Sequence, residues 1–519
     1  MNRFFLLTLS FFAIFIGSSM LVSCEEDTNT EIDIEIPVDT IPVDTTPDIK
    51  AIYISTQAEF DRYRNLTYLP GAHILFAAGK VFNGQFAPNG SGTVDEPIVV
   101  AAYDPETMEI LLDNIDDKPI INGNATVNAP FYLYNGSNWI ISNLEITNND
   151  GTDDDQGTLF GIYIVQEDVG VVENITVRYN YIHDVNGKVE GKERGGIHTH
   201  VIGKDVPTKI NNLLIEDNIV SWVGGVGIGN VSSWGGVDDD DYFPWENHVI
   251  RGNRVEYTGR NCVIIRMSID PIAEYNVLAY SSRYSTGHSI FNFNTDGMVI
   301  QYNEAYGNTG ELDDHDRGGF DADYNAHNTI FQYNYSHNNH WFCGMMRKYN
   351  KGVTLRYNLS VNDKLGAYEY GFPGDVGLED VLIHNNTHYF KAGLNASPFA
   401  SPGKVRVPIN TKMYNNIFYF EDASTWAVEP DASCELSHNL FYNCEERGSD
   451  NILTDPLFVD AGDNPYDVDM TDPNRLLGYQ LMDGSPCFDA GKAIEDNVAT
   501  DFWGNAITDG KVDIGAFEK

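Results

Sequence analysis

The sequence predicts an all-β solenoid with capped ends, its strands parallel and wound three to a turn, and three observations carry that expectation. The phrase apolar-polar-polar-Asn recurs eleven times, ending at Asn143, Asn180, Asn218, Asn253, Asn276, Asn303, Asn334, Asn358, Asn385, Asn415 and Asn439. Its spacings run from 23 to 38 residues, the range of solenoids, propellers and arrays. The intervening segments, such as NITVRYNYI and GMVIQYNEA, alternate with period 2 and lack any sustained i, i+3, i+4 pattern. The shortest unit, 23 residues, has room for about three strands of ordinary length, too few for a propeller blade. Turns of such a coil stack about 4.8 Å apart, so residues of one phase form ladders. The repeated asparagine is expected to be one of them, bonding neighbouring backbone and the Asn above and below.

Taken in order, Met1 to Cys24 has one early basic residue, Arg3, then the apolar run FFLLTLSFFAIFIG and small residues before LVSC. That pattern predicts a lipoprotein signal peptide with Cys24 as the lipidated residue. Residues 25–50, EEDTNTEIDIEIPVDTIPVDTTPDIK, are acidic and rich in Thr and Pro, with no core-forming pattern, and read as an extended tether. Lipid and tether together predict attachment to the outer membrane or cell surface. Residues 51–519 read as one domain, because a solenoid grows without a globular size limit. Its end strands need covering, and residues 51–104 and 451–519 are the expected caps.

Three pieces are similar to the right-handed parallel β-helix proteins of the pectate-lyase-like superfamily: LPGAHILFAAGKVFNGQF with GSGTVDEPIVVAAYD, the asparagine repeats, and GSPCFDAG with DFWGN and VDIGAFE. The resemblance implies a right-handed parallel β-helix over most of residues 51–519 and a carbohydrate-active protein. It does not select a reaction, because function resides in the site. The acidic residues following Cys24 resemble the surface-export signal of Bacteroidetes lipoproteins.

With 76 acidic and 32 basic residues the formal net charge is −44, which excludes nucleic acid as a partner and requires local positive charge wherever an anionic glycan binds. Of six cysteines, Cys434 and Cys444 flank one repeat and could pair; Cys262, Cys343 and Cys487 sit in apolar contexts.

Counting back from each asparagine places Arg266, Asn292, Asp323 and Arg347 at one phase of four consecutive turns, a groove about 14 Å long. In FDADY, Asp321 and Asp323 leave the same side of a strand, and three roles are open to them. They could be the acid and nucleophile or base of a glycoside hydrolase, ligands for Ca²⁺, or partners that orient the arginines. Elimination would use other groups. Arg266 and Arg347 would clasp a uronate carboxylate or sulfate, with His198 and His200 of GGIHTH, or His315, His340, Lys348 and Tyr349, as acid or base. Asp313, Asp314, His315, Asp316 and Arg317 form a charged loop entering the FDADY strand. Asn292, Asn294, His315, His340, Trp341 and Lys348 are candidate substrate contacts, and Trp222, Trp234 and Trp245 add aromatic rings that can stack on sugars. The favoured expectation is a monomeric surface lyase that cleaves a uronate-containing, sulfated algal or pectic glycan by β-elimination. The alternatives are a glycoside hydrolase using Asp321 and Asp323, and a non-catalytic glycan-binding lipoprotein.

Overall fold

The computed structural model describes residues 51–519 apart from 153–156, 188, 190, 309–315, 401–406, 496 and 508–510, with backbone only at 346, 347 and 372–376. The signal peptide, Cys24, the tether, Asp313, Asp314 and His315 lie outside the described residues, as does the side chain of Arg347.

The chain winds as a parallel β-helix of three sheets. Each rung takes one strand from sheet II, then one from sheet I, then one from sheet III. A representative rung runs Phe320–Ala322, Ile330–Gln332, Tyr335–His337, and the next begins at Trp341–Lys351. Each strand pairs in parallel with its counterpart a full turn away. Sheet III, described from Val81–Asn83 to Leu440–Cys444, holds thirteen strands. Ile, Val, Leu and Phe from all three sheets fill the interior. At the N-terminal end the helix Gln57–Tyr63, opened by a Thr56/Glu59 capping box, lays Phe60 on Phe76, Phe82 and Phe86.

The asparagine ladder stands at the corner between sheets I and III. Asn180, Asn218, Asn253, Asn276, Asn303, Asn334, Asn358, Asn386, Asn416 and Asn439 are buried. Each Asn from the second onward accepts, on its side-chain oxygen, the backbone N–H and the side-chain amide of the preceding ladder Asn, at 2.9–3.1 Å. The residue before each ladder Asn is left-handed, from Tyr179 (φ 58°) to His438 (φ 55°). That conformation separates the two asparagines of each NN pair: Asn385 (φ 53°) and Asn415 (φ 59°) occupy the left-handed position, so the ladder members are Asn386 and Asn416. Asn143 (φ 55°) is displaced in the same way, and Leu144 takes the ladder position.

Residues 451–519 bond along the outside of the helix as well as near its end. Asp467 meets Arg254 and Tyr306, Thr500 O accepts from Tyr333, Glu518 meets Tyr357, and Lys492 meets Asn415. Cys434 and Cys444, which the sequence left free to pair, are free thiols. Cys434 lies before the sheet I strand Glu435–Ser437 and Cys444 ends a sheet III strand.

Candidate active site

Pairing along sheet II aligns one outward column through His198, Gly229, Ile264, Phe291, Asp321, Gly344 and Glu369. Two residues later in each strand a second column carries Arg266 and Phe293. Asp323 follows them just past its strand end, where its N–H donates to Asn292 O at 3.1 Å. The alternation expected for FDADY is therefore present, and both aspartates leave the outward side of the strand. Both are nonetheless buried, Asp321 at 1% and Asp323 at 4% exposure, beneath loops that join sheets III and II.

Three loops between sheets III and II supply the cover. The loop before the strand Gly195–Ile202 brings Lys192 over the Phe291 ring at 4.7 Å, and Arg260 Nη1 donates to Val189 O of the same loop at 3.3 Å. The loop before Ile290–Phe293 brings His288. The loop entering the FDADY strand brings Asp316, whose side chain is 14% exposed, the most open of the three aspartates.

His288 organises this cluster. Its Nδ1 accepts the Gly318 N–H at 3.1 Å, so in the neutral ring the proton sits on Nε2. Nε2 faces Asp321 Oδ2 at 3.5 Å and Asp316 Oδ1 at 3.8 Å. Gly344 makes the space. A Cβ there would lie 2.9 Å from Asp321 Oδ1 and 3.0 Å from His288 Cε1.

The three carboxyls are driven in different directions. Burial raises Asp321 well above the usual carboxylate range, and Asp323, Asp316 and Glu369 add repulsion. Burial also pushes Asp323 up, to about 6, against the opposing charges of Lys192 and Arg266. For Asp316 burial works upward too, but His288, Lys192, a hydrogen bond from Thr286 and Arg260 outweigh it and hold the group below its ordinary value. Arg266 is itself fixed: its N–H donates to Asn230 Oδ1 at 2.7 Å and its Nη1 to Asn230 O at 3.2 Å.

Several expected site residues fall elsewhere. Asn292 pairs with Ile265 and Ala322 and points inward, bonding Thr295 and Thr329, so it leaves the groove phase. The cause is a corner one residue longer after Asp323 than after Arg266, which shifts a count made back from the ladder. His198 stands four rungs from Asp321, about 19 Å at 4.8 Å per rung. His198 and His200 are buried, and burial drives both well toward the neutral form, His198 to about 3, so neither serves as acid or base for the aspartates. His340 and Trp341 are fully buried, and Trp245 and Trp234 are buried as well. Lys348 sits over the Tyr324 ring at 4.1 Å. Asn294 accepts from Asn325 at 2.7 Å at the strand end. Among the described residues no group of three or more His, Cys, Asp or Glu side chains is placed to hold a metal ion. His288 was not singled out in the sequence. Its signal is GHSIF followed one rung later by GGF, a histidine set opposite two glycines.

No protein-family model matches the chain. Among curated proteins it is 24% identical over 560 residues to a lacto-N-biosidase of Bifidobacterium longum, an alignment covering 86% of this chain and 34% of the relative. The chain thus spans about a third of that relative's length. Among solved structures it resembles the GH136 lacto-N-biosidase from Eubacterium ramulus, with TM-score 0.57, 18% identity, and coverage of 78% of this chain and 68% of that one. Pectate lyase Pel9A overlays with TM-score 0.38 and 12% identity, covering 87% and 89%. These findings overturn the expectation of a β-eliminating lyase, because the curated relative and the solved structure with TM-score 0.57 are both lacto-N-biosidases. They leave the chain similar to carbohydrate-active β-helix enzymes.

Proposed function

We propose that the chain is a glycoside hydrolase and that Asp316 and Asp323 divide the two carboxyl roles. The observation that carries this is the opposite drive on neighbouring carboxyls: Asp316 is held ionised, while Asp323 is raised to about 6 and keeps its proton in mild acid. In the free enzyme Asp323 is then the proton donor to the glycosidic oxygen, and Asp316 is the carboxylate that attacks the anomeric carbon or activates water. The C–O bond to the leaving sugar breaks, water supplies the hydroxyl of the new reducing end, and both carboxyls return to their starting states. Asp321, protonated and facing His288, stands behind the pair, and Arg266 and Lys192 balance the negative charge. The sequence alternative named Asp321 with Asp323; the greater exposure and lowered value of Asp316 favour it as the second member.

Similarity to lacto-N-biosidases supports a glycan of the kind such enzymes cleave. The sequence pattern around Cys24 supports a lipid-tethered enzyme at the outer membrane. Incubation with a glycan panel including lacto-N-biosidase substrates tests the reaction, with reducing ends and ultraviolet absorbance followed together. New reducing ends without absorbance are expected. A variant carrying Cys24→Ala should lose the membrane fraction and keep activity; retained membrane attachment would refute the tether.

A further inference from the structure

The turn from sheet III to sheet II holds a left-handed residue on successive rungs: Asp184, Trp222, Tyr257, Tyr280, Gly307 and Asn338. Asp, Gly and Asn suit that conformation, whereas a bulky side chain there is strained. Three consecutive rungs carry aromatics all the same. The rings stack, Trp222 on Tyr257 at 4.5 Å and 10° and Tyr257 on Tyr280 at 4.8 Å and 12°. Gly307 leaves room for Tyr280, since a Cβ there would lie 2.8 Å from the ring. Arg283 lies over Trp222 at 4.4 Å and over Tyr284 at 4.7 Å, and is held by bonds to Tyr284 Oη at 3.1 Å and Tyr257 O at 3.2 Å. Trp222 is 47% and Tyr284 48% exposed. The result is a shelf that carries a half-exposed indole, a half-exposed phenol and a guanidinium.

A second aromatic column in the same molecule shows what such a surface does. Tyr275, Tyr302, Tyr333 and Tyr357 occupy the left-handed position before the asparagine ladder, and the first three stack at 5.0 and 4.9 Å. The C-terminal segment docks on that column: Arg475 lies over Tyr302, Thr500 O accepts from Tyr333, and Glu518 accepts from Tyr357. On the Trp222 column the described ring and cation contacts to the indole come from Tyr257 and Arg283.

Charge and position identify the occupant. A chain of net charge −44 disfavours a second copy or any acidic partner on this face, whereas a neutral sugar carries no such penalty. A pyranose presents a C–H face to an indole and hydroxyls to Arg283 and Tyr284. The shelf is also bonded to the loop that carries Asp316. The turn carrying Tyr280, Arg283 and Tyr284 ends at His288, and Arg317, next to Asp316, donates to Ser282 O at 2.7 Å. We infer that Trp222, Arg283 and Tyr284 form a binding site for a neutral oligosaccharide, outside the catalytic pocket and taking sugar units remote from the scissile bond. The choice of a glycan rests on the hydrolase reading.

The test uses the full chain carrying Asp323→Asn, so that ligands survive, and measures binding of a series of neutral oligosaccharides, including lacto-N-biosidase substrates, by calorimetry. Adding Trp222→Ala should weaken binding of the longer members about tenfold or more, while Trp222→Phe retains most of it. Tyr284→Ala, which removes the second ring beside Arg283, should weaken the same ligands. Equal affinity with and without Trp222, or no binding of any member by the parent, would overturn the site. Failure to hydrolyse any glycan would instead sink the hydrolase reading, so the two failures are told apart.

Discussion

Two buried carboxyl–histidine pairs sit on different faces of this β-helix, and only one belongs to the candidate site. On sheet III, Glu304 Oε1 lies 2.9 Å from His337 Nε2, and its Oε2 accepts the Val468 N–H at 2.8 Å. On sheet II, Asp321 Oδ2 lies 3.5 Å from His288 Nε2, and its Oδ1 has no hydrogen-bond partner among the described residues. Burial raises both carboxyls, Glu304 to about 8. A perturbed acid therefore does not by itself mark a site. What separates the two is satisfaction: the C-terminal segment completes the bonding of Glu304, whereas Asp321 keeps unfilled capacity beside two further aspartates of opposite drive.

The largest effect should come from removing the proton donor. Asp323→Asn is expected to lower kcat/KM by about 10²–10⁴-fold with an unchanged melting temperature, and a variant retaining full activity would remove Asp323 from the mechanism. Next is Gly344→Ala, whose added carbon must displace Asp321 or His288. A loss of about 10–100-fold in kcat is expected, and native rates would mean that the close packing is irrelevant to catalysis.

A smaller change separates the two bonds of His288. His288→Asn places an amide near Nδ1 and can keep the Gly318 link, while His288→Gln reaches toward Nε2 and the carboxylates. Losing the Nε2 contact should raise Asp316, so the acid limb of the kcat/KM profile should move to higher pH in the Asn variant and less in the Gln variant. The alkaline limb should stay, because the donor Asp323 must be protonated and activity falls as pH rises through about 6. Movement of both limbs together would refute the division of roles.

The smallest effect on rate belongs to sheet III. Glu304 has a folded value of about 8 against an ordinary 4.5, so its stabilisation is full below about 4.5 and is lost as pH rises through 8. Glu304→Gln removes the titration and keeps an acceptor for the Val468 N–H. It should flatten the decline of melting temperature between these limits and leave kcat unchanged; an altered kcat would draw the pair into the site.

Much of this was legible in the chain. The ladder could be read because one Asn per turn is demanded by the corner between sheets I and III, and the slips at Asn385 and Asn415 arise where two asparagines adjoin and only backbone conformation tells them apart. The Asp321/Asp323 pair followed from strand alternation. Asn292 was misplaced because corner length varies by one residue, which in a period-2 element inverts the face. His288 and Lys192 were hidden because loops bring them to the pocket across rungs, and loop paths leave no periodic mark. His198, His200 and Trp341 have suitable chemistry, but burial or distance along the coil removes them.

If an ionised Asp316 and a protonated Asp323 together direct water to cleave a glycosidic bond, digestion of the glycan panel in H₂¹⁸O should mark the products. One ¹⁸O is expected at each new reducing end with the native protein and none with Asp323→Asn. Uncut glycan, or a product lacking the elements of water, would contradict that reading.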